Sequence, residues 1–100
     1  MKYRVLRTNE FNEWLSREPP KSQAQIEKRI MHIQHDGHFG LTNDVEDGVL
    51  ELKWKDGRRV YYVHLLEVDV LLLLGENKNG QSYDINKAKK ILRKHAENVS

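Results

Sequence analysis

At 100 residues, with 17 basic and 15 acidic side chains and a formal net charge of +2, the chain has room for one α+β domain with a modest core, and not for two. It contains no cysteine, which excludes a disulfide framework or a thiolate metal site and leaves packing to hold the fold. The opening residues scatter their charges instead of placing a basic stretch before an apolar run, and the longest apolar run, residues 70–74, is far short of the roughly 20 that span a bilayer. The expectation is a cytoplasmic chain with no membrane segment.

Residues 2–6 alternate, with Tyr3 and Val5 on one face, and predict an edge strand. Thr8 or Asn9 can cap a helix whose Phe11, Trp14 and Leu15 form one apolar stripe, ended by Pro19 and Pro20. A second helix carries Ile26, Ile30 and Ile33 on one face, with Gly37 as a left-handed C-terminal cap, so the two make an αα-hairpin. Residues 37–48, rich in Gly, Asn and Asp, read as a connecting loop. Three strands are expected next, at 49–54, 59–65 and 68–74, the last so uniformly apolar that it belongs in the sheet interior with both faces covered. A helix over about 85–95, capped by Asp84, closes the chain. The predicted order is β, α, α, β, β, β, α in one domain, 1–100.

The turn after Trp54 decides which side chains meet. With a two-residue Asp56-Gly57 loop, Arg59 would face Trp54 on the apolar side, which is unfavourable. With a three-residue Lys55-Asp56-Gly57 loop and Gly57 left-handed, Trp54 faces Arg58, Lys53 faces Arg59, Leu52 faces Val60 and Leu50 faces Tyr62. This second register places Lys53, Arg59, Glu51 and Tyr61 together as a polar patch on an open sheet face. Lys and Arg there can hold phosphate oxygens, while Glu51 and Tyr61 can move protons. The same residues also suit plain cross-strand ion pairing, Glu51 with Lys53 or Arg59, on a wetted face. Basic groups crowd the second half: Lys53, Lys55, Arg58, Arg59 and Lys78 on or beside the strands, then Lys87, Lys89, Lys90, Arg93 and Lys94 on the last helix. That distribution suits an anionic partner, and a solvated surface is the simpler alternative for any one of them.

Phe11 with Trp14-Leu15, Gly37, Gly40, Asp47-Gly48-Val49, Glu51-Leu52, Arg59-Val60-Tyr61, Lys78, Gln81 and Asp84-Ile85 follow an order and spacing that resembles the phage-derived, HigB-type branch of the RelE/ParE toxin superfamily over nearly the whole chain. The resemblance implies a RelE-like α+β fold, an N-terminal strand and αα-hairpin on a small, mainly antiparallel sheet with a C-terminal helix. It further implies a type II toxin that cuts messenger RNA on the ribosome without metal or other cofactor, the 2′-hydroxyl attacking the adjacent phosphate. The implied partners are the ribosome, its message and a cognate antitoxin, HigA-like with a helix-turn-helix domain, in a toxin-antitoxin hetero-oligomer. Arg59 would stabilise the transition state, Lys78 would contact phosphate or help activate the nucleophile, and Lys53 would contact phosphate; by their face and chemistry, Glu51 is the candidate proton acceptor and Tyr61 the candidate donor. Lys55, Arg58, Lys87, Lys90 and Lys94 are the candidate RNA contacts. The chain departs from the family pattern at Lys53, where arginine is usual, at Asn43, where lysine is usual, and at Gly75-Glu76-Asn77-Lys78 in place of Gly-Gly-Asp-Lys.

Two other functions stay open on sequence: a ParE-like DNA gyrase inhibitor on the same scaffold, and a decayed protein that binds antitoxin without catalysis. His32, His35 and His38 are spaced by three and suggest exposed helix polarity more than metal ligands, while His64 and His95 are isolated. Trp54, beside the turn, can be core or stack on a base, and Tyr83, near the last helix, can pack on the sheet or reach the site.

Overall fold

Two consecutive tyrosines, Tyr61 and Tyr62, are both buried, at 0% and 1% exposure. Neighbours along a strand point to opposite faces, so the sheet that carries them must be covered on both sides. The computed structural model describes residues 2–77 and 81–99. In chain order these form β1 (Arg4–Arg7), α1 (Asn9–Ser16), α2 (Pro20–Asp36), β2 (Thr42–Glu46), β3 (Val49–Lys53), β4 (Arg59–Leu66), β5 (Asp69–Glu76) and α3 (Gln81–Val99). The strands lie in the order β1-β5-β4-β3-β2, antiparallel except for the β1–β5 pair. No helix among the described residues is long and apolar enough to cross a membrane.

The first face is covered by α1 and α2. Phe11, Leu15, Ile26, Ile30 and Ile33 pack there on Leu52, Val60, Tyr62, Val70 and Leu72. Local chemistry sets both helices. Thr8 caps α1 by accepting the Phe11 amide (3.0 Å), and its hydroxyl donates to the Leu73 carbonyl (2.7 Å), where a bulge interrupts the pairing of β4 with β5. Pro20 opens α2, where its missing N–H costs nothing, and Gly37 at φ 70° closes it as expected. The Trp14 ring rests on Gly75 so closely that a Cβ there would lie 2.1 Å from it.

The second face is covered by α3, whose Ala88 and Ile91 pack on Val49, Tyr61, Val63, Leu71, Leu73 and Leu74. Three expectations need correcting. Residues 37–48 are not all connector, because β2 pairs with β3 across the Asp47-Gly48 turn, both residues having positive φ (52° and 84°). The face of Lys53, Arg59, Glu51 and Tyr61 is not open, because its apolar members require cover and the stripe of α3 supplies it. Finally α3 begins at Gln81, so Asp84 sits within its first turn and is not the cap residue that starts it.

Replacing Gly75 with alanine should force Trp14 off the sheet and destabilise the fold by about 1–3 kcal/mol, the usual range for overpacking. Urea unfolding followed by tryptophan fluorescence measures this, and an unchanged midpoint would contradict the packing described.

Candidate functional site

The turn between β3 and β4 has the expected three-residue form. The Trp54 amide donates to the Arg58 carbonyl (3.0 Å), the Gly57 amide donates to the Trp54 carbonyl (3.1 Å), and Gly57 has φ 98°. The pairs that follow are Lys53 with Arg59, Leu52 with Val60, Glu51 with Tyr61 and Leu50 with Tyr62. Lys53, Arg59, Glu51 and Tyr61 therefore do share a face. They lie at its polar end, beside the N-terminal turns of α3.

Arg59 is the centre of this group. Its Nε lies 3.4 Å from Glu51 Oε2, the two side chains being 16% and 5% exposed, and it has no hydrogen-bond partner among the described residues. The contact is thus chiefly Coulombic. Asn43 on β2 donates to the other Glu51 oxygen (3.4 Å). Glu76, at the end of β5, stands directly across from Arg59 on the opposite side of β4 from Lys53. Asp84 comes down from α3 and is buried.

One guanidinium is therefore set among three carboxyl groups, and burial raises the proton affinity of one of them, Asp84. Desolvation, then a hydrogen bond with Glu76 and the charge of Glu76, push the Asp84 carboxyl up to about 7, against the opposing pull of Lys87 and Arg59. Burial, followed by the charges of Asp84 and Glu51, pushes the Tyr61 phenol up to about 12 despite Arg59, so it keeps its proton at neutral pH. The Tyr61 hydroxyl has no partner among the described residues. Such a site can bind an oxyanion at Arg59 and exchange a proton near pH 7.

The remaining candidates divide. Lys53 is half-buried beside Arg59, and Lys55 is exposed on the turn. Arg58 points to the opposite face and is buried; its Nε donates to Asp56 (2.8 Å), Nη1 to Ser22 (2.6 Å) and Nη2 to Gln25 (2.5 Å). Its donors serve to tie the turn to α2. Trp54 lies between the guanidinium groups of Arg58 and Arg29, 5.6 and 4.4 Å from its ring. Arg29 in turn donates to the carbonyls of Phe39, Leu41 and Lys53 and fixes the path of the chain into β2.

Lys87, Lys90 and Lys94 are exposed on α3, where with Arg93 and Ile91 they line a cleft of about 580 Å³ closed on one side by Glu10. Lys94 lies 3.6 Å from Glu10, and Lys89 pairs instead with Glu46 (3.0 Å) and Asp47 (2.9 Å), fastening α3 to the β2–β3 turn. His32 lies 3.3 Å from Asp36. Lys78 and the side chain of Tyr83 lie outside the described residues. Asp84 and Asn43 were not among the site residues expected from sequence; the Asp47-Gly48 pair, a strong hairpin signal, was the clue that residue 43 lies on a strand.

The fold is RelE-like. The isolated RelE toxin of E. coli superposes with a TM-score of 0.63 at 12% identity, covering 89% of this chain and 98% of that one. The RelBE2 toxin-antitoxin complex of Mycobacterium tuberculosis contains a chain that superposes with a TM-score of 0.66 at 16% identity, covering 78% of this chain and all of that one. The sequence belongs to the family of phage-derived Gp49-like proteins (DUF891), which it matches over residues 13–96. It is also similar to an uncharacterised protein of Haemophilus influenzae, 37% identical over 92 residues that cover 89% of this chain and 92% of that one.

The raised Asp84 carboxyl has a sign that stability must follow. Its protonated form is the one the fold favours, so its stabilising contribution is whole below the unfolded value of 3.8 and is lost as pH rises toward about 7. Asp84→Asn should remove this slope and make the protein more stable than wild type at pH 8. Thermal melts from pH 4 to 8 measure it; parallel curves for the two proteins would contradict the protonation assigned.

Proposed function

We propose that this chain is the toxin of a type II toxin-antitoxin system and an endoribonuclease that cuts messenger RNA on the ribosome. Membership of the Gp49-like family and the RelE-like fold support the toxin class. The observation that supports nuclease chemistry is Arg59, partly exposed at the edge of a buried polar cluster and set in place by the carboxylate of Glu51. In this reading Arg59 holds the scissile phosphate, and Lys53 adds a second positive charge next to it. The 2′-hydroxyl attacks phosphorus, the P–O2′ bond forms and the P–O5′ bond breaks, leaving a cyclic phosphate and a 5′-hydroxyl.

Glu51, buried and bound to Arg59 and Asn43, is suited to orienting the guanidinium more than to taking a proton from substrate. Tyr61 is a buried acid that stays neutral, and its hydroxyl, near Glu51, Arg59 and Asp84, has no partner among the described residues. The lysines of α3, with Lys55 at the turn, would hold RNA phosphates outside the cluster. A cognate antitoxin of the HigA-like helix-turn-helix kind would be the protein partner. Structural neighbours include toxin-antitoxin complexes, which supports an antitoxin partner in general.

Arg59→Lys keeps the charge facing Glu51 but loses the fork of donors, and Arg59→Ala loses both. Induced in a bacterial host, the alanine variant should abolish growth arrest, and in purified translation reactions it should lower message cleavage by about 100-fold or more, as for loss of a transition-state donor. The lysine variant should retain partial activity. Primer extension on a reporter message reads the cuts, with plasmid supercoiling assayed in parallel. Arrest without cuts but with altered supercoiling would move the protein to the gyrase-inhibitor class, and no arrest by wild type would leave a binding protein without catalysis.

A further inference from the structure

Behind Arg59, on the α1 and α2 side of the same strand ends, lies a second cleft, of about 540 Å³. Arg58 and Asn77 form one wall; they are the chain neighbours of Arg59 and Glu76, which are paired in register across the β4–β5 ladder. The other wall is the turn between α1 and α2 and the start of α2, with Glu18, Pro19, Lys21 and Gln25. Asn77 reaches across, donating to Glu18 Oε2 (3.3 Å), while Ser22 donates to Glu18 Oε1 (2.8 Å). Cleft and catalytic candidate thus stand back to back at one end of the sheet, so a single RNA strand passing over that end can present a phosphate to Arg59 and a neighbouring base to the cleft.

The chemistry of this cleft differs from that of the cleft on α3. Its charged side chains, Glu18 and Asp56 against Lys21 and Arg58, balance, which favours an uncharged group rich in donors and acceptors over a phosphate. Arg58 is 9% exposed, and its donors are engaged in the guanidinium plane: Nε by Asp56, Nη1 by Ser22 and Nη2 by Gln25. The Trp54 ring lies 5.6 Å from it. An arginine held in this way offers a ligand its flat face more than its hydrogens, and the Pro19 ring adds a second apolar surface. Bases of single-stranded RNA are read by that combination, stacking on an aromatic ring or guanidinium plane and hydrogen bonding along the Watson–Crick edge.

We propose that this cleft is a nucleobase subsite, which takes the base next to the phosphate held by Arg59 and prefers guanine. The subsite rests on the nuclease reading and adds to it a source of sequence choice. Guanine presents two adjacent N–H donors, the ring N1–H and the exocyclic amine, that one carboxylate accepts together, and beside them the O6 acceptor, which suits an ammonium or amide donor. Glu18 is the carboxylate: such a group accepts up to about four hydrogen bonds, and the described residues supply two, from Ser22 and Asn77. Lys21 and the Gln25 amide are the donors. Adenine and cytosine would bring an unprotonated ring nitrogen against the carboxylate, and uracil has a single N–H between two carbonyls.

The test uses the full chain and 2′-deoxy trinucleotides that differ only in the central base; without a 2′-hydroxyl they cannot be cut. The trinucleotide with central guanine should shift the NMR signals of the Gln25 and Asn77 side-chain amides and of the Trp54 indole N–H, and should bind about tenfold more tightly than the other three, within the discrimination of a bidentate base contact. Glu18→Gln, first checked for folding by thermal melting, should bring the four close to equality, and Lys21→Ala, at an exposed position, should weaken guanine binding in the same direction. On ribosome-bound messages, sequencing of the cuts should show an excess of guanine beside the cut site, which Glu18→Gln lowers by about the same factor. Equal binding of the four bases, shifts confined to the lysines of α3, or a guanine preference that Glu18→Gln leaves intact would overturn the subsite. Selective binding of guanine by a protein that cuts no message would leave the base site standing and overturn the nuclease reading.

Discussion

Because side chains alternate along a strand, sliding β4 by one residue against β3 would send Arg59 into the apolar layer beneath α1 and α2 and turn Val60 and Tyr62 toward α3. The turn at residues 55–57 prevents this. Gly57 takes the left-handed conformation that lets three residues close the loop, and Arg58, bound to Asp56, Ser22 and Gln25, locks the turn onto α2. Once Lys53 stands opposite Arg59, the positions of Glu51 and Tyr61 on the α3 side follow without further choice. The arginine on the α2 side, Arg58, thus fixes the register that presents Arg59 on the other.

Covering the second face with α3 has a cost. Ala88 and Ile91 bury a genuine apolar layer, but the same helix also buries Asp84, near Arg59 and Glu76. Charges removed from water in that way must be paired or neutralised. Glu51 is paired with Arg59; the Asp84 carboxyl is pushed up to about 7, burial being the largest cause. A carboxyl whose proton affinity is raised toward neutral pH is a weakness for folding and a resource for acid-base chemistry. Lys89, clamped by Glu46 and Asp47, helps hold α3 against the sheet while this is so.

Much of this could be read from the residues alone, and the failures have common causes. The stripes Phe11/Leu15 and Ile26/Ile30/Ile33 and the alternation of Leu50, Leu52 and Val60 are strong periodic signals, and each one is core. Gly57 next to Asp56 was enough to select the register. β2 was missed because Thr42–Glu46 is almost wholly exposed on the edge of the sheet and so carries no alternation. The α3-covered face was mistaken for an open one because Lys53, Glu51 and Arg59 dominate it in sequence, while the apolar partners that demand cover lie on other strands. Asp84 near a helix start reads as a cap by local rules, and its burial against the sheet follows from tertiary packing that those rules do not contain. The family resemblance singled out Arg59 as a candidate, but no pattern placed Asp84 near it, and Glu76 is a departure from that pattern.

The most direct measurement is chemical analysis of the ends made when purified protein meets ribosomes carrying a defined message, with a strong chelator present. The account expects cuts bearing a 2′,3′-cyclic phosphate on one fragment and a 5′-hydroxyl on the other, the latter ligated only after treatment with a polynucleotide kinase. Fragments bearing a 5′-phosphate, or cleavage abolished by the chelator at magnesium levels that keep the ribosome intact, would contradict it.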